Sequence, residues 1–250
     1  MLIKDLLKSL LPRPVLIAIR SARFKRQAGR ASAQSTREIF TKIYEEGAWG
    51  RAADQEHKFY SGSGSHEGEA VGTYIAAVRD FLSSLEKKPD VVDLGCGDFH
   101  VGSSIREFCG NYVACDVVQS LIEFNRERFK ALDVDFRVLD LAEDDLPKAD
   151  VVFIRQVLQH LSNRHISNAI PKIARSYQFL VLTEHLPTRG TFKPNLDKPA
   201  GVDVRPAVDS GLVLTAAPFN LKVKAERVLC EVPEHGPYGG RIRTTLYELA

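Results

Sequence analysis

Residues 91–98 read Val-Val-Asp-Leu-Gly-Cys-Gly-Asp, and no other segment restricts the fold as much. A short apolar run of this kind is a buried strand. It ends in an acid and then a Gly-x-Gly turn, which lets the backbone bend sharply and approach a ligand at the carboxyl edge of a parallel sheet. From Asp90 onward the pattern alternates. Strands are expected at 90–94, 111–116, 134–139, 150–154, 179–184, 221–231 and 242–249, with helices between the first five, notably 118–131 and 162–177. Strands separated by helical segments predict a parallel sheet with right-handed crossovers. The last two strands are joined by Gly236-Pro237-Tyr238-Gly239-Gly240, a hairpin-type turn, so they are expected antiparallel.

The chain of 250 residues is long enough to bury such a core. Its 44% hydrophobic and 26% charged residues exclude global disorder, collagen and coiled coil. No apolar stretch reaches about 18 residues, so no membrane-spanning helix is expected. Cys96, Cys109, Cys115 and Cys230 form no C-x-x-C pair and read as small core residues of a reducing compartment, not as a metal site.

Three parts are expected along the chain. Residues 1–35 form a basic amphipathic extension, 36–88 a helical pre-core segment, and 89–250 the α/β core with a lid-like insertion at about 186–220. In the extension, Leu2, Ile3, Leu6, Leu7, Leu10 and Leu11 recur at helical spacing, and Pro12 and Pro14 are expected to end that helix. The run Val15 to Ile19 then leads into a basic stretch. Residues 1–30 hold eight basic side chains and one acid, whereas the remainder has 26 basic against 31 acidic residues. The basic character therefore belongs to the N-terminus, which resembles a segment that lies on anionic lipid; the alternative is an appendage packed on the domain or frayed. In the pre-core segment a helix over 36–46 is broken by Gly47-Ala48-Trp49-Gly50. A loop at Ser61–Ser65 precedes a helix from about Glu67 to Leu85, with Ser65 as its N-cap.

The chemistry collects at strand ends. A dinucleotide fingerprint needs a third glycine where His100 stands, and the acid before the turn would repel a pyrophosphate. Asp116 closes the second strand, where an acid accepts from ribose hydroxyls. Asp140 ends the third, where a carboxylate can accept from an exocyclic adenine amine.

Asp93-Leu94-Gly95-Cys96-Gly97, Asp116, Asp140 and the strand after Asp150 together resemble the class I S-adenosylmethionine-dependent methyltransferases. The resemblance implies a Rossmann-like α/β fold, a seven-stranded mostly parallel sheet with the last strand antiparallel, here preceded by an N-terminal helical extension. It covers about residues 90–250. Phe99 departs from it, since many members have glycine there. Tyr44 to Gly50, the Ser61–Ser65 loop, Cys96 to Phe99 and Arg155 to Ser162 further resemble a bacterial subgroup of mostly unassigned substrate, which commonly has Asp where Gln156 stands.

The resemblance implies S-adenosyl-L-methionine as cofactor. Gly95 and Gly97, with Asp98 in the same turn, would border its methionine part, Asp93 would orient its amino group or the loop, Asp116 would bind ribose, and Asp140 with the Leu141 backbone would bind adenine. Arg155 and Gln156 would lie where cofactor and acceptor meet. His160 and Glu184 are the expected general bases for a hydroxyl acceptor, with His185 as a rival; for His160 the alternative is a helix-start histidine bonded to backbone. Asn195, Asp197 and Arg205 fall in the insertion and are acceptor-contact candidates.

The expected function is methyl transfer to a small-molecule or glycan acceptor, most readily a hydroxyl. The alternatives are RNA or protein methylation, or a non-catalytic cofactor-binding scaffold. The acidic balance of the core argues against RNA. The expected location is cytoplasmic, with a peripheral contact at the inner membrane face through residues 1–30.

Overall fold

The computed structural model describes residues 12–28, 34–51, 58–66, 68–188 and 191–250. Seven strands form one sheet: β1 (Val91–Leu94), β2 (Tyr112–Asp116), β3 (Asp135–Val138), β4 (Val151–Arg155), β5 (Phe179–Leu186), β6 (Val223–Pro233) and β7 (Arg241–Leu249). Their order is β3-β2-β1-β4-β5-β7-β6, with β7 antiparallel to both neighbours and the other pairs parallel. The chain winds outward from β1 to β3, then returns to the other side of β1 with β4. That reversal opens a crevice at the carboxyl ends of β1 and β4, where open α/β sheets bind ligands.

The central strands are apolar on both faces because both are covered. Val92, Leu94, Val152, Ile154, Leu180 and Leu182 face one core, and Val91, Val151, Phe153 and Val181 face the other, following the two-residue period of a strand. The helices are α1 (Arg13–Ala28), α2 (Thr36–Glu46), α3 (Gly68–Ser83), α4 (His100–Ile105), α5 (Gln119–Arg128) and α6 (Asn163–Ser176). Ser35 and Glu38 close a reciprocal capping box at the start of α2, and Gly47 ends it in the left-handed conformation. Ser162 caps α6.

Three expectations are corrected. No helix lies between β3 and β4. There the Asp140 carboxylate accepts from the Ala142 N–H and Asp144 accepts from the Asp140 N–H, so local side-chain turns replace helical bonds. Pro14 sits in the first turn of α1, where its missing N–H goes unused, and the helix that Pro12 and Pro14 are expected to end is not among the described residues. The leucine-rich stretch 2–11 lies outside the described residues. Ser65 belongs to a single 3-10 turn, Ser63–Ser65, and α3 starts at Gly68, so Ser65 is not its cap.

The third correction concerns 186–220. Among its described residues Ala207, Val208, Leu212, Leu214 and Phe219 are buried, and the Asn195 amide donates to the Val213 and Ala217 carbonyls while its oxygen accepts from the Val213 N–H. This segment is mostly a packed part of the core rather than a free lid.

Candidate functional site

A cavity of about 490 Å³ opens at the carboxyl edge of the sheet. Its floor is the β1 turn. Gly95 and Gly97 have φ of +80° and +55°, a region that side chains rarely adopt. A Cβ at Gly95 would lie 2.4 Å from the Val157 side chain, and one at Gly97 2.4 Å from Ser61 Oγ. Phe99 takes φ +59° at the position where the resemblance implies glycine. Its ring is fully buried and packs edge-on against Tyr112, Phe129 and Phe136. Aromatic burial thus offsets a left-handed backbone worth about 1–3 kcal/mol of strain.

Three expected cofactor residues stand beside this turn, one at each end of β1, β2 and β3. Asp93 accepts from the Tyr112 hydroxyl at 3.0 Å, and burial pushes its pKa up to about 7. Asp116 accepts from the Gly97 N–H at 3.2 Å and the Val118 N–H at 3.1 Å, and burial holds its pKa at about 6. Asp140 accepts from the Thr36 hydroxyl and, at 2.9 Å, from the Ala142 N–H. Leu141 lines the cavity next to it.

The Ser61–Ser65 loop covers the turn. Ser61 Oγ accepts from the Asp98 N–H at 2.8 Å and lies 3.0 Å from the Tyr44 hydroxyl, while Asp98 Oδ2 accepts from the Ser61 N–H at 3.0 Å and from His66 Nε2 at 2.7 Å. Asp98 is therefore a tether for this loop. Arg155 donates to the Gly64 carbonyl at 2.5 Å and to Ser65 Oγ at 3.4 Å, and sits 5.0 Å over the Tyr74 ring. Gln156 takes φ +57° and donates its N–H to the Thr183 carbonyl. All nine expected cofactor residues, from Asp93 to Gln156, line one cavity.

The far wall comes from distant segments: Trp49, His160, His185, residues 202–204, Glu234 and residues 236–238. Here the expected bases fare badly. His160 lines the cavity, but its Nδ1–H donates to the Gly201 carbonyl at 3.1 Å and its Nε2 lies 3.3 Å from the Gln159 amide. Burial and the nearby Lys198 depress its pKa to about 3, so it is a poor proton acceptor. The backbone-bonded alternative is the one observed. Glu184 does not line the cavity at all. It is 3% exposed, its pKa is raised by burial to about 8, and its oxygens make no direct side-chain contact within hydrogen-bond range. His185 lines the cavity with its Nε2–H donated to the Gly239 carbonyl at 2.7 Å.

The candidates from the insertion are structural. Arg205, 0% exposed, donates to the carbonyls of Leu158, Gln159 and Leu161, and Lys198 donates to that of His160. Asp197 accepts from the Asn163 N–H at the start of α6. Together they clamp the turn after β4. Residues missed by sequence reasoning are Thr36, Tyr44, Tyr74, Asp203, Glu234 and Tyr238, all in the lining. Only Tyr44 carried a signal, through the Tyr44 to Gly50 stretch. Charge in the lining is one-sided: Asp93, Asp98, Asp116, Asp140, Asp203 and Glu234 against the single guanidinium of Arg155.

Residues 92–177 match a family model described as a methyltransferase domain. Over these residues the chain carries a methyltransferase domain and is similar to S-adenosylmethionine-dependent methyltransferases. A protein of Mycolicibacterium smegmatis named "Probable S-adenosylmethionine-dependent methyltransferase" is 32% identical over 114 residues, 44% of this chain and 42% of that protein. The chain thus spans less than half the length of this relative. Solved structures share the fold of the domain. Magnesium protoporphyrin IX methyltransferase of Synechocystis PCC 6803, with S-adenosylmethionine bound, has a TM-score of 0.54 at 14% identity, over 86% of this chain and 98% of that one. The N-methyltransferase NodS of Bradyrhizobium japonicum WM9, with S-adenosyl-L-homocysteine bound, has 0.51 at 13%, over 72% and 87%. The methyl donor of this domain is S-adenosylmethionine. The cavity suits it in two respects: a backbone cradle that any Cβ would fill, and a carboxylate-rich lining that complements a sulfonium cation.

Proposed function

We propose that the protein transfers a methyl group from S-adenosylmethionine to a hydroxyl of a small-molecule or glycan acceptor. The observation that carries this reading is the convergence of Gly95, Gly97, Asp116 and Asp140 on one carboxylate-rich cavity. Bound there, the cofactor supplies an electrophilic methyl on a sulfonium. The chain's own residues hold and orient. The Gly95–Gly97 backbone and Asp98 border the methionine part, Asp93 takes its amino group, Asp116 the ribose, and Asp140 with Leu141 the adenine. Arg155 and Gln156 stand between this half and the far wall.

With the electrophile already activated, holding two reactants in line supplies most of the rate. Neither His160, with its depressed pKa, nor Glu184, outside the lining, is offered as a base in this reading. Positioning in an acidic, partly desolvated cavity is the mechanism proposed, and the proton that the acceptor hydroxyl gives up passes to water at the mouth or to a far-wall carboxylate, Asp203 or Glu234. The same acidic lining disfavours an RNA phosphate near the reacting centre. Residues 1–30 support a cytoplasmic protein with a peripheral contact at an anionic membrane face.

Calorimetric titration with S-adenosylmethionine and, separately, with NAD tests the cofactor half. Only the first should bind, and Asp116→Ala should weaken it about 30- to 150-fold, the loss of a charged hydrogen-bonding partner. Binding that survives the substitution unchanged would remove the assignment of Asp116. Tight cofactor binding with no labelled product from extracts of small molecules and glycans would favour the scaffold reading.

A further inference from the structure

Helix α1 borders the mouth of the cavity. Its inner face buries Phe24, which is 3% exposed, and the helix packs on the 3-10 turn Arg205–Val208. Arg20 lies over the Tyr238 ring at 5.1 Å, and Tyr238 lines the cavity. The opposite face points to solvent. Val15, Ile19, Ala22 and Arg26 fall on one helical stripe with Arg23 beside it, and all are exposed.

Val15 and Ile19 are 42% and 54% exposed, and they are two of the four large exposed hydrophobics among the described residues. A third, Val202 at 43%, is in the cavity lining, three residues before the turn on which α1 packs. Single exposed apolar residues are ordinary. Here they run along one helix face and recur at the adjoining mouth.

The charge on this face has one sign. Helix α1 contains no acid, and Arg23 and Arg26 are its exposed charges among the described side chains; in the sequence, residues 1–30 hold eight basic residues against one acid. The rest of the chain has a net negative balance. A helix with an apolar stripe flanked by arginines lies in the plane of an anionic bilayer, its apolar residues among the acyl chains and its arginines at the headgroups. Nucleic acid would answer the arginines but leave Val15 and Ile19 without a partner.

We propose that the outer face of α1 docks on an anionic membrane surface and sets the cavity mouth against it, so that the acceptor is a lipid-anchored molecule entering from the bilayer. The docking surface stands on α1 alone; the nature of the acceptor rests on the methyl-transfer reading above.

Co-sedimentation of the full chain with vesicles tests the surface. It should bind phosphatidylcholine vesicles containing about a third phosphatidylserine, release in high salt, and ignore pure phosphatidylcholine. Arg23→Glu with Arg26→Glu should lower vesicle affinity at least about tenfold, since each basic residue near the surface contributes about fivefold. Val15→Asp with Ile19→Asp should do the same. Both variants should titrate S-adenosylmethionine like the parent, which shows that they are folded.

Variants that bind vesicles like the parent, or a parent that binds neither vesicle, would overturn the proposal. Retention on duplex RNA that Arg23→Glu with Arg26→Glu abolishes, without vesicle binding, would assign the face to nucleic acid instead. A parent that binds vesicles but not S-adenosylmethionine would keep the docking surface and overturn the lipid-anchored acceptor. Orientation is read by tryptophan at position 19 or 202 in a Trp49→Phe background. Brominated lipid should quench both, and quenching of Ile19→Trp alone would overturn the placement of the mouth.

Discussion

The two halves of the cavity are built in different ways. The half under β1, β2 and β3 is made of strand ends, each contributing an acid or a glycine a few residues from its own strand. The half beyond β4 is assembled from Trp49, His160, His185, 202–204, Glu234 and 236–238, brought together over more than half the chain. The first is held by short local bonds such as Gly97 N–H to Asp116. The second is held by a fully buried cation, Arg205, wrapped in backbone carbonyls. In the first half, therefore, a substitution should act on the ligand. In the second it should act on stability.

Arg205→Met is the harshest test of that contrast. It leaves carbonyls of Leu158, Gln159 and Leu161 without their donor, and a loss of about 3–5 kcal/mol in unfolding free energy is expected in urea melts. Affinity for S-adenosylmethionine should stay within about threefold of the parent, because the Arg205 guanidinium bonds the backbone of residues 158–161 and the Asn163 side chain and none of the nine cofactor residues. A large loss of affinity with unchanged stability would break the comparison.

Gly97→Ala tests the other half. It forces a side chain into a positive-φ position and against Ser61 Oγ, a cost of about 2–3 kcal/mol, so cofactor affinity should fall about 30- to 150-fold by calorimetry. Removing only the tether, with Ser61→Ala, should cost about 1 kcal/mol and about fivefold in the same titration.

The pH dependence of stability sharpens the second half. Glu184 has its pKa raised from 4.5 to about 8 in the folded protein, so the folded state holds its proton more tightly than the unfolded chain. That contribution to stability is full below pH 4.5 and is lost as pH rises toward 8. Relative to Glu184→Gln, which cannot titrate, the parent should therefore lose melting temperature progressively across that window. Parallel curves for the two proteins would show that Glu184 ionises as freely folded as unfolded. Burial raises the pKa, and Arg205 and Lys198 offset part of that rise.

The cofactor half was legible in the sequence because its signals are local. A strand that ends in Asp93-Leu94-Gly95-Cys96-Gly97 and acids at two further strand ends need no knowledge of what packs opposite. Even Phe99, a departure from the resemblance, keeps the left-handed turn that glycine would take. The far wall was not legible. His160 was a reasonable base by type and position, yet its protonation is governed by Gly201, Gln159 and Lys198. Glu184 is buried outside the cavity lining. Strand β5 alternates faces, so His185 reaches the cavity and its neighbour does not.

By itself, the sequence determined the order of strands and helices, the glycine turn, the acids beside it and the basic N-terminus. These depend on residue type and short spacing, which act before the chain is folded. The tertiary structure alone decided which polar groups face the cavity and which are buried beneath it, that most of 186–220 is core, and that α1 borders the mouth. Those outcomes depend on which distant segments exclude water from one another, and burial sets both the direction of a side chain and the charge that it can carry.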